Sequence, residues 1–304
     1  MISSPSLEQL DDRIRRKPTN EQRASRKGLS FRIPLAMVTG CSRVPPISEC
    51  GSIDDEELQE FHWHIMTNRF FMENLPSTGM ANLEGLEAHH LIHVMRTSAG
   101  EIVELFNGAG LVARAEVLKV SRRDASLKII DSQMFSDSTR EVILGTAVPK
   151  GDRFDWLIEK VTELGVTRLV PLITARSVVD PRDSKLDKLR QTIISACKQS
   201  RRHHLLELDA VTRWDDFVKH QMAGRPSYIA DPRHDSQPLG SNQLVGKSSV
   251  VFAIGPEGGF TDDEVDQAIN AGAMAISLGP LILRIETAAV VLASFALESS
   301  FSLQ

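Results

Sequence analysis

The segment from residue 102 to residue 130 consists of short apolar runs separated by turn residues, as in a β-hairpin followed by a further strand. Ile102–Phe106 and Leu111–Leu118 are separated by the turn signal Asn107-Gly108, which predicts two antiparallel strands joined by a short loop. Ser126–Ile130 is a third strand-like run. We therefore predict a small β-rich domain over residues 66–135.

From Glu141 onward, strand-like runs alternate with stretches whose apolar residues recur every three to four positions. Val142–Val148 predicts a buried strand, and a helix is predicted from Asp152, as N-cap, to Gly165, which ends it. Thr261 to Glu264 fit a capping box, which predicts another helix start. The other predicted elements are strands at 168–174, 228–230, 250–254 and 275–278, a helix striped by apolar residues over 186–197, and a last helix over 286–299. This alternation predicts an α/β domain over 140–304, with a mostly parallel sheet and helices on both faces.

Residues 1–65 have a different composition. They contain nine Lys/Arg and ten Asp/Glu without a sustained apolar period, so they bury too little apolar surface to offset the entropy of ordering. We expect a disordered extension or a mis-assigned translation start. The apolar run before Cys41 is interrupted by Arg32 and Pro34, which argues against a signal peptide.

Composition narrows the functional classes. The chain has 304 residues and a formal net charge of −5, which argues against a protein that coats nucleic acid through bulk positive charge. Its three cysteines exclude a disulfide framework, and no apolar run approaches the length of a membrane-spanning helix. We expect a cytoplasmic protein that does not bind membranes.

Two loops that contain Gly-Pro follow buried strands. One is Ile254–Gly259 and the other is Leu278–Arg284. Ligands of open parallel sheets bind outside the carboxyl ends of the strands, and glycine allows the backbone to approach a ligand closely. These loops are therefore the candidate ligand site.

A series of segments in the same order matches a known family. In the C-terminal part they are Lys150–Val166, Ala175–Val179, Lys198–Arg202, Ile254–Phe260 and Leu278–Ala289, and before them Arg69–Phe71, His89–Leu91, Val94–Arg96 and Glu104–Gly110. The first group resembles the RsmE-type ribosomal RNA small-subunit methyltransferases of the SPOUT superfamily. The second group resembles that family's N-terminal PUA-like domain.

The resemblance implies a SPOUT-type methyltransferase domain with a trefoil knot, preceded by a PUA-like domain, in a homodimer. It also implies S-adenosylmethionine as cofactor and methylation of uracil N3 of a uridine near the decoding site of 16S ribosomal RNA in the small subunit. The family usually has Arg where this chain has Leu281, and often Thr where it has Ile285. The implied cofactor-binding residues are Leu172, Ile254, Gly255, Pro256, Gly258, Gly259, Leu278, Gly279, Leu283, Thr287 and Ala288.

Methylation at uracil N3 requires loss of a weakly acidic proton and stabilisation of charge on the ring. We expect Arg176 and Arg284 to stabilise that charge, and Glu257 and Glu286 to orient them or to accept the proton. The sequence does not single out one general base.

Because the net charge of the chain is negative, RNA must be bound by a local patch of cationic side chains. We predict that this patch consists of Arg69, Arg96, Arg114, Lys198, Arg201 and Arg202. His89 and His93 have a spacing that can chelate zinc, but no further ligand pattern accompanies them, so we expect no metal site. Two alternatives stay open: a SPOUT methyltransferase for another RNA such as tRNA, and an inactive RNA-binding assembly factor, which only Leu281 supports.

Overall fold

The structure is a computed structural model that describes residues 67–136, 140–178, 186–232, 236–240 and 243–301. The extension predicted over residues 1–65 lies outside these ranges. Among the residues described, no helix combines the length and the apolar character needed to cross a lipid bilayer.

The β-rich domain predicted over residues 66–135 forms a five-stranded sheet. Its strands are β1 (Arg69–Phe71), β2 (Met80–Leu83), β3 (Ile102–Phe106), β4 (Leu111–Val120) and β5 (Ala125–Met134). They lie in the order β1-β3-β4-β5-β2, and only β1 and β3 pair in parallel. The predicted hairpin is confirmed, since Asn107 Oδ1 accepts hydrogen bonds from the backbone N–H groups of Ala109 and Leu111 at 2.8 and 3.0 Å. A short helix, α1 (Gly85–His89), continues into a π-helical turn over His90–Val94.

The strands of the predicted α/β domain form a second sheet of eight strands. These are β6 (Glu141–Ala147), β7 (Arg168–Ile173), β8 (Glu207–Leu208), β9 (Thr212–Arg213), β10 (Ser227–Ala230), β11 (Gln237–Pro238), β12 (Ser249–Ile254) and β13 (Met274–Ser277). The order is β11-β13-β10-β12-β6-β7-β8, with β9 also beside β7. Every pairing is parallel, so the carboxyl ends of the strands lie along one edge. The predicted α/β class with a small β-rich domain is confirmed.

Helices cover both faces of the parallel sheet. They are α2 (Arg153–Leu164), α3 (Leu186–Ser200), α4 (Trp214–Phe217), α5 (Asp262–Asn270) and α6 (Ile285–Phe301). Successive side chains of a strand point to opposite faces. Accordingly, Val142 and Leu144 of β6 pack in the core beneath α2, α3 and α6, whereas Ile143 packs in the core with α4 and α5. Burial on both faces explains why these strands are continuous apolar runs.

Helix ends agree with the sequence in most details. Gly165 ends α2 in the left-handed region at φ 96°, and Thr261 and Glu264 form the complete capping box of α5. Asp152 differs from the prediction, because its backbone is helical and its side chain makes no capping hydrogen bond. Pro171 pairs with Thr146 of β6 on one side. On its other side it lies between the residues that pair with β8 and those that pair with β9, so the hydrogen-bond donor that proline lacks is not needed there.

Candidate active site

The carboxyl ends of three neighbouring strands enclose a cavity of about 370 Å³. Because β13, β10 and β12 are adjacent and parallel, the loops that follow them meet at one edge of the sheet. Cavities of this size are typical of small-molecule sites. The lining residues are 230–232 at the end of β10, 254–259 at the end of β12, and 276–279, 281–285 and Ala288 around the third loop.

Two glycines of these loops meet requirements that other residues would not. A Cβ at Gly255 would lie 3.0 Å from the ring of Phe260. Gly279 has φ +116°, a conformation that residues with a side chain rarely adopt. Packing against Phe260 and the backbone conformation therefore favour glycine at these two positions, and both residues line the cavity.

Nine of the eleven predicted cofactor-binding residues line this cavity. The exceptions are Leu172, which is buried in the core with α4 and α5, and Thr287, which is exposed on the first turn of α6. Leu172 packs in that core, and its role in cofactor binding stays a prediction. The residues brought to the cavity are Ile254, Gly255, Pro256, Gly258, Gly259, Leu278, Gly279, Leu283 and Ala288.

Arg176 contacts the loop after β12 and not the cavity itself. It follows β7, and its Nη1 donates hydrogen bonds to the carbonyl oxygens of Gly258 and Phe260 at 2.7 and 3.4 Å. The preceding Ala175 donates its backbone N–H to Glu264 Oε1 at 2.7 Å. In this arrangement the Arg176 guanidinium braces the glycine loop, a role that the sequence did not indicate.

Glu257 and Glu286 share one cation, Arg153, at the start of α2. Arg153 Nη2 lies 3.0 Å from Glu257 Oε1, and Nη1 lies 3.7 Å from Glu286 Oε1. Glu286 is buried, and its Oε2 has no hydrogen-bond partner among the residues that the structure describes. Arg284 is exposed and lines the cavity. Sequence reasoning missed Arg153, although it lies in the Lys150–Val166 segment.

Asp231 and Pro232 are further cavity residues that the sequence analysis did not select. They follow β10, and Asp231 is buried and donates its backbone N–H to the Ile276 carbonyl at 3.0 Å. The available signal was their position at the end of a predicted strand. Leu281 and Ile282, by contrast, are 76% and 90% exposed, so this part of the third loop projects from the surface.

Arg69 requires a correction, because it is buried and not available to RNA. Its Nε lies 2.8 Å from Glu104 Oε1, and its Nη1 donates to the Cys197 carbonyl at 3.1 Å. Burial lowers the pKa of Arg69 to about 10, with Glu104 opposing the shift. Arg201 Nη1 also lies 3.2 Å from Glu104 Oε1. These contacts join the small domain to the end of α3.

The rest of the basic cluster is also occupied by protein groups. Lys198 Nζ lies 2.8 Å from Glu87 Oε2 and 3.2 Å from His90 Nδ1. Arg202 Nη1 donates to the Thr162 carbonyl at 3.1 Å. The predicted RNA patch at 198–202 therefore lies at the junction between the two sheets. Its cationic groups contact carboxylates and a carbonyl oxygen of the protein there. The Lys198 and Arg201 contacts connect the two domains, and the role of Lys198, Arg201 and Arg202 in binding RNA stays a prediction.

Arg96 and Arg114 are the predicted RNA contacts that lie farther along the small domain. Arg96 is exposed and has φ 56°, and Arg114 pairs with Asp131 across β4 and β5. The rings of His89 and His93 lie 4.7 Å apart. In the described ranges, no group of three or more His, Cys, Asp or Glu side chains is placed to hold a metal ion.

The chain matches two protein-family models. An RNA methyltransferase domain model matches residues 136–297, and an RNA methyltransferase PUA domain model matches residues 83–130. Ribosomal RNA small subunit methyltransferase E from Synechocystis sp. is 34% identical over 209 residues, covering 67% of this chain and 68% of the relative. The Bacillus subtilis protein of the same name is 31% identical over 239 residues, covering 72% of this chain and 92% of the relative.

Solved structures agree with the sequence matches. Ribosomal RNA small subunit methyltransferase E from Neisseria gonorrhoeae, bound to S-adenosyl methionine, has a TM-score of 0.69 and 28% identity, covering 75% of this chain and 95% of that one. A putative methyltransferase from Legionella pneumophila, in complex with the cofactor SAM, has a TM-score of 0.69 and 30% identity, covering 76% and 96%. This likeness confirms the predicted SPOUT-type fold class. With both of its domains matched, the chain belongs to the ribosomal RNA small subunit methyltransferase E family.

Proposed function

We propose that this chain is an S-adenosylmethionine-dependent methyltransferase that modifies uracil N3 of a uridine near the decoding site of 16S ribosomal RNA. The observation that carries the proposal is the cavity at the ends of β10, β12 and β13, lined by two glycine-containing loops. Related structures of this fold are described as bound to S-adenosylmethionine. The family's name supports ribosomal RNA of the small subunit as substrate.

The residues of the cavity fit this cofactor. Gly255 and Gly279 line the cavity without a side chain, so a ligand can approach their backbone closely, and Ile254, Leu278 and Leu283 supply apolar walls. Such a combination of apolar walls with a few polar groups is typical of cofactor sites. When bound, the cofactor supplies a methyl group on a sulfonium for in-line displacement. The chain's own residues bind it, exclude water and orient the uracil.

In the proposed reaction, Arg284 stabilises the charge that develops on the uracil ring, because it is exposed beside the cavity. Arg176 holds the glycine loop through the Gly258 carbonyl, so its effect on turnover is indirect. Glu257 lines the cavity and is our candidate for accepting the proton, whereas Glu286 is buried against Arg153. Orientation of the two reactants supplies the larger share of the rate.

The proposal includes a homodimer. Leu281 and Ile282 form an exposed apolar pair on the third loop, and a second copy that covers this loop would remove their surface from water. We expect Ile282→Glu to shift the protein from dimer to monomer in light scattering coupled to size-exclusion chromatography. A wild-type chain that is monomeric at micromolar concentration would contradict this part. We also propose a cytoplasmic location, where the ribosomal substrate is found.

The test is methyl transfer to defined RNA substrates. Purified protein and radiolabelled cofactor are incubated with small ribosomal subunits from a strain that lacks the gene, with free 16S RNA and with tRNA, and the product is mapped by mass spectrometry. We expect 3-methyluridine at one position in the subunit. We expect Arg284→Gln to lower turnover about 100-fold with little change in the Kd for the cofactor. Methylation confined to tRNA, or an intact fold that binds no cofactor, would overturn the proposal in favour of another RNA substrate or an inactive assembly factor.

A further inference from the structure

Arg153 occupies the junction of two elements that shape the candidate cofactor site. It starts α2, which follows β6, and β6 is the neighbour of β12 in the sheet. This adjacency places its guanidinium beside both the loop after β12 and the first turn of α6. Its contacts there are Glu257, at 3.0 Å, and Glu286, at 3.7 Å.

All three nitrogens of the guanidinium are used. Arg153 Nε donates to the carbonyl of Lys150 at 3.2 Å, while Nη2 and Nη1 face Glu257 and Glu286. The Lys150 contact fixes the direction of the planar group, so the two remaining corners point at two different elements. A lysine ammonium is a single charge on a flexible stem and does not reproduce this fork.

The two carboxylates differ in their dependence on Arg153. Glu257 is partly exposed on a loop that lines the cavity, so its pair with Arg153 serves mainly to fix the loop's position. Glu286 is buried, with one oxygen lacking a hydrogen-bond partner among the described residues. A buried carboxylate without a counter-charge is unfavourable, and this keeps Arg153 in place between the two elements.

We propose that Arg153 is a positioning residue for the cofactor site. By bridging Glu257 and Glu286 it fixes the 255–259 loop against the start of α6, and thereby holds the cavity in the shape that binds the cofactor. Arg153 does not itself line the cavity, so it acts through the loop. This inference rests on the proposed function, because the ligand is taken to be S-adenosylmethionine.

The structure offers a matched control in Arg168. Arg168 also bridges two carboxylates, Glu207 and Asp209, at 2.6 and 3.6 Å, and its side chain is 33% exposed against 31% for Arg153. It is the first residue of β7, so it lies where the strands begin, whereas the cavity lies where they end. Arg168→Gln therefore removes an equivalent ion-pair bridge without touching the site.

The first experiment measures the Kd for S-adenosylmethionine by calorimetric titration of the full chain. We expect Arg153→Gln to weaken binding about tenfold, equivalent to about 1.4 kcal/mol, and Arg168→Gln to leave it unchanged. Arg153→Lys keeps one charge and should fall between wild type and Arg153→Gln. A wild-type chain that binds no cofactor refutes the proposed function, whereas equal affinities of wild type and Arg153→Gln refute only the positioning role.

A double-mutant cycle separates positioning from direct contact. If Arg153 acts through Glu257, the double variant Arg153→Gln, Glu257→Gln should bind the cofactor no more weakly than the weaker single variant. Additive losses would mean that Glu257 acts on the ligand independently of Arg153, which would overturn the inference. Should Arg153→Gln fail to fold, Arg153→Lys and Glu257→Gln test the same bridge, and unchanged affinity in both refutes it.

A second readout needs no ligand at all. Hydrogen exchange of the backbone amides in the 255–259 loop should be faster in Arg153→Gln than in wild type, because the loop loses its anchor. The same amides should exchange at the wild-type rate in Arg168→Gln. Equal exchange in wild type and Arg153→Gln contradicts a positioning role even where the affinity changes.

Discussion

Glu264 joins two strand-end loops through one buried carboxylate, and its removal is the most direct test of how the site is held together. Its Oε1 accepts a hydrogen bond from the Ala175 N–H at 2.7 Å, and its Oε2 accepts one from the Thr261 N–H at 2.8 Å. The residue is 6% exposed. The Thr261 contact is local to the α5 capping box, whereas the Ala175 contact fixes the loop that carries Arg176. We predict that Glu264→Ala destabilises the fold and frees that loop.

The magnitude follows from the two backbone N–H groups that donate to the carboxylate; the Thr261 hydroxyl also lies 3.2 Å from Oε2. A hydrogen bond to a charged group contributes about 1.5–3 kcal/mol, and both donors here are only partly buried, so we take the lower end and expect a loss of about 3 kcal/mol for Glu264→Ala. Thr261→Ala removes the cap and leaves the Ala175 contact, at a cost of about 1 kcal/mol. At about 2–4 °C per kcal/mol for a chain of this size, the expected Tm losses are about 6–12 °C and about 2–4 °C.

Thermal unfolding followed by circular dichroism measures both variants, and hydrogen exchange locates the effect. The Ala175 amide should exchange faster in Glu264→Ala and at the wild-type rate in Thr261→Ala, because only the first variant removes its acceptor. Glu264→Gln keeps one carbonyl acceptor and should be intermediate in Tm. A Tm of Glu264→Ala no lower than that of Thr261→Ala would refute the reasoning, since the long-range bond would then contribute nothing.

Three further predictions concern single residues. Gly279→Ala, at φ +116°, should raise the Kd for S-adenosylmethionine in calorimetric titration with little loss of helix content; unchanged affinity would show that the loop tolerates a side chain. Burial and the charge of Lys198, outweighing Glu87, lower the pKa of His90 below 6.5, so the unfolded chain takes up the proton first and the free energy of unfolding should fall as the pH drops below 6.5. His90→Asn, which keeps an acceptor for Lys198 but does not titrate, should flatten that part of a urea-unfolding profile, and an unchanged profile would contradict the assignment. Burial raises the pKa of the Cys197 thiol, so with the other two cysteines replaced by serine the folded protein should not react with a disulfide reagent until it is unfolded; rapid reaction of the native protein would contradict this.

Features whose signal is local could be predicted from the sequence. Strand Ile102–Phe106 has the predicted bounds because its apolar residues and the Asn107 turn lie within ten residues. The capping box of Thr261 and Glu264 depends on four consecutive residues. The parallel sheet followed from continuous apolar strands alternating with striped helices, since burial on both faces dictates that pattern.

Side-chain partners distant in sequence were beyond such reasoning. Lys198 and Arg201 have the spacing of an RNA-binding patch, but their carboxylate partners Glu87 and Glu104 lie 111 and 97 positions away. A cluster of cations has the same sequence pattern whether its counter-charges are phosphates or carboxylates of another domain. Arg153 was missed for the same reason, since 104 positions separate it from Glu257.

The cavity loops are held by groups outside the cavity. Glycine and apolar residues form most of its lining and offer few side chains to fix the loops. The direct anchors are Arg153 on Glu257 and Arg176 on the Gly258 carbonyl, and Glu264 in turn holds the loop that carries Arg176 through the Ala175 N–H. None of these three side chains lines the cavity. Substitutions there should therefore change cofactor binding more than substitutions of lining residues that point outward.

This arrangement also bears on the two departures from the family pattern. The Leu281 side chain is 76% exposed. The shape of its loop therefore depends on the backbone at Gly279 and on contacts made by residues farther along the chain. Ile285 is the first residue of α6 and is buried in the core, where an apolar side chain gains more from burial than a threonine hydroxyl would. Neither departure removes a group that fixes the cavity. Leu281 therefore gives little support to an inactive assembly factor, and the cofactor titration decides between the two functions.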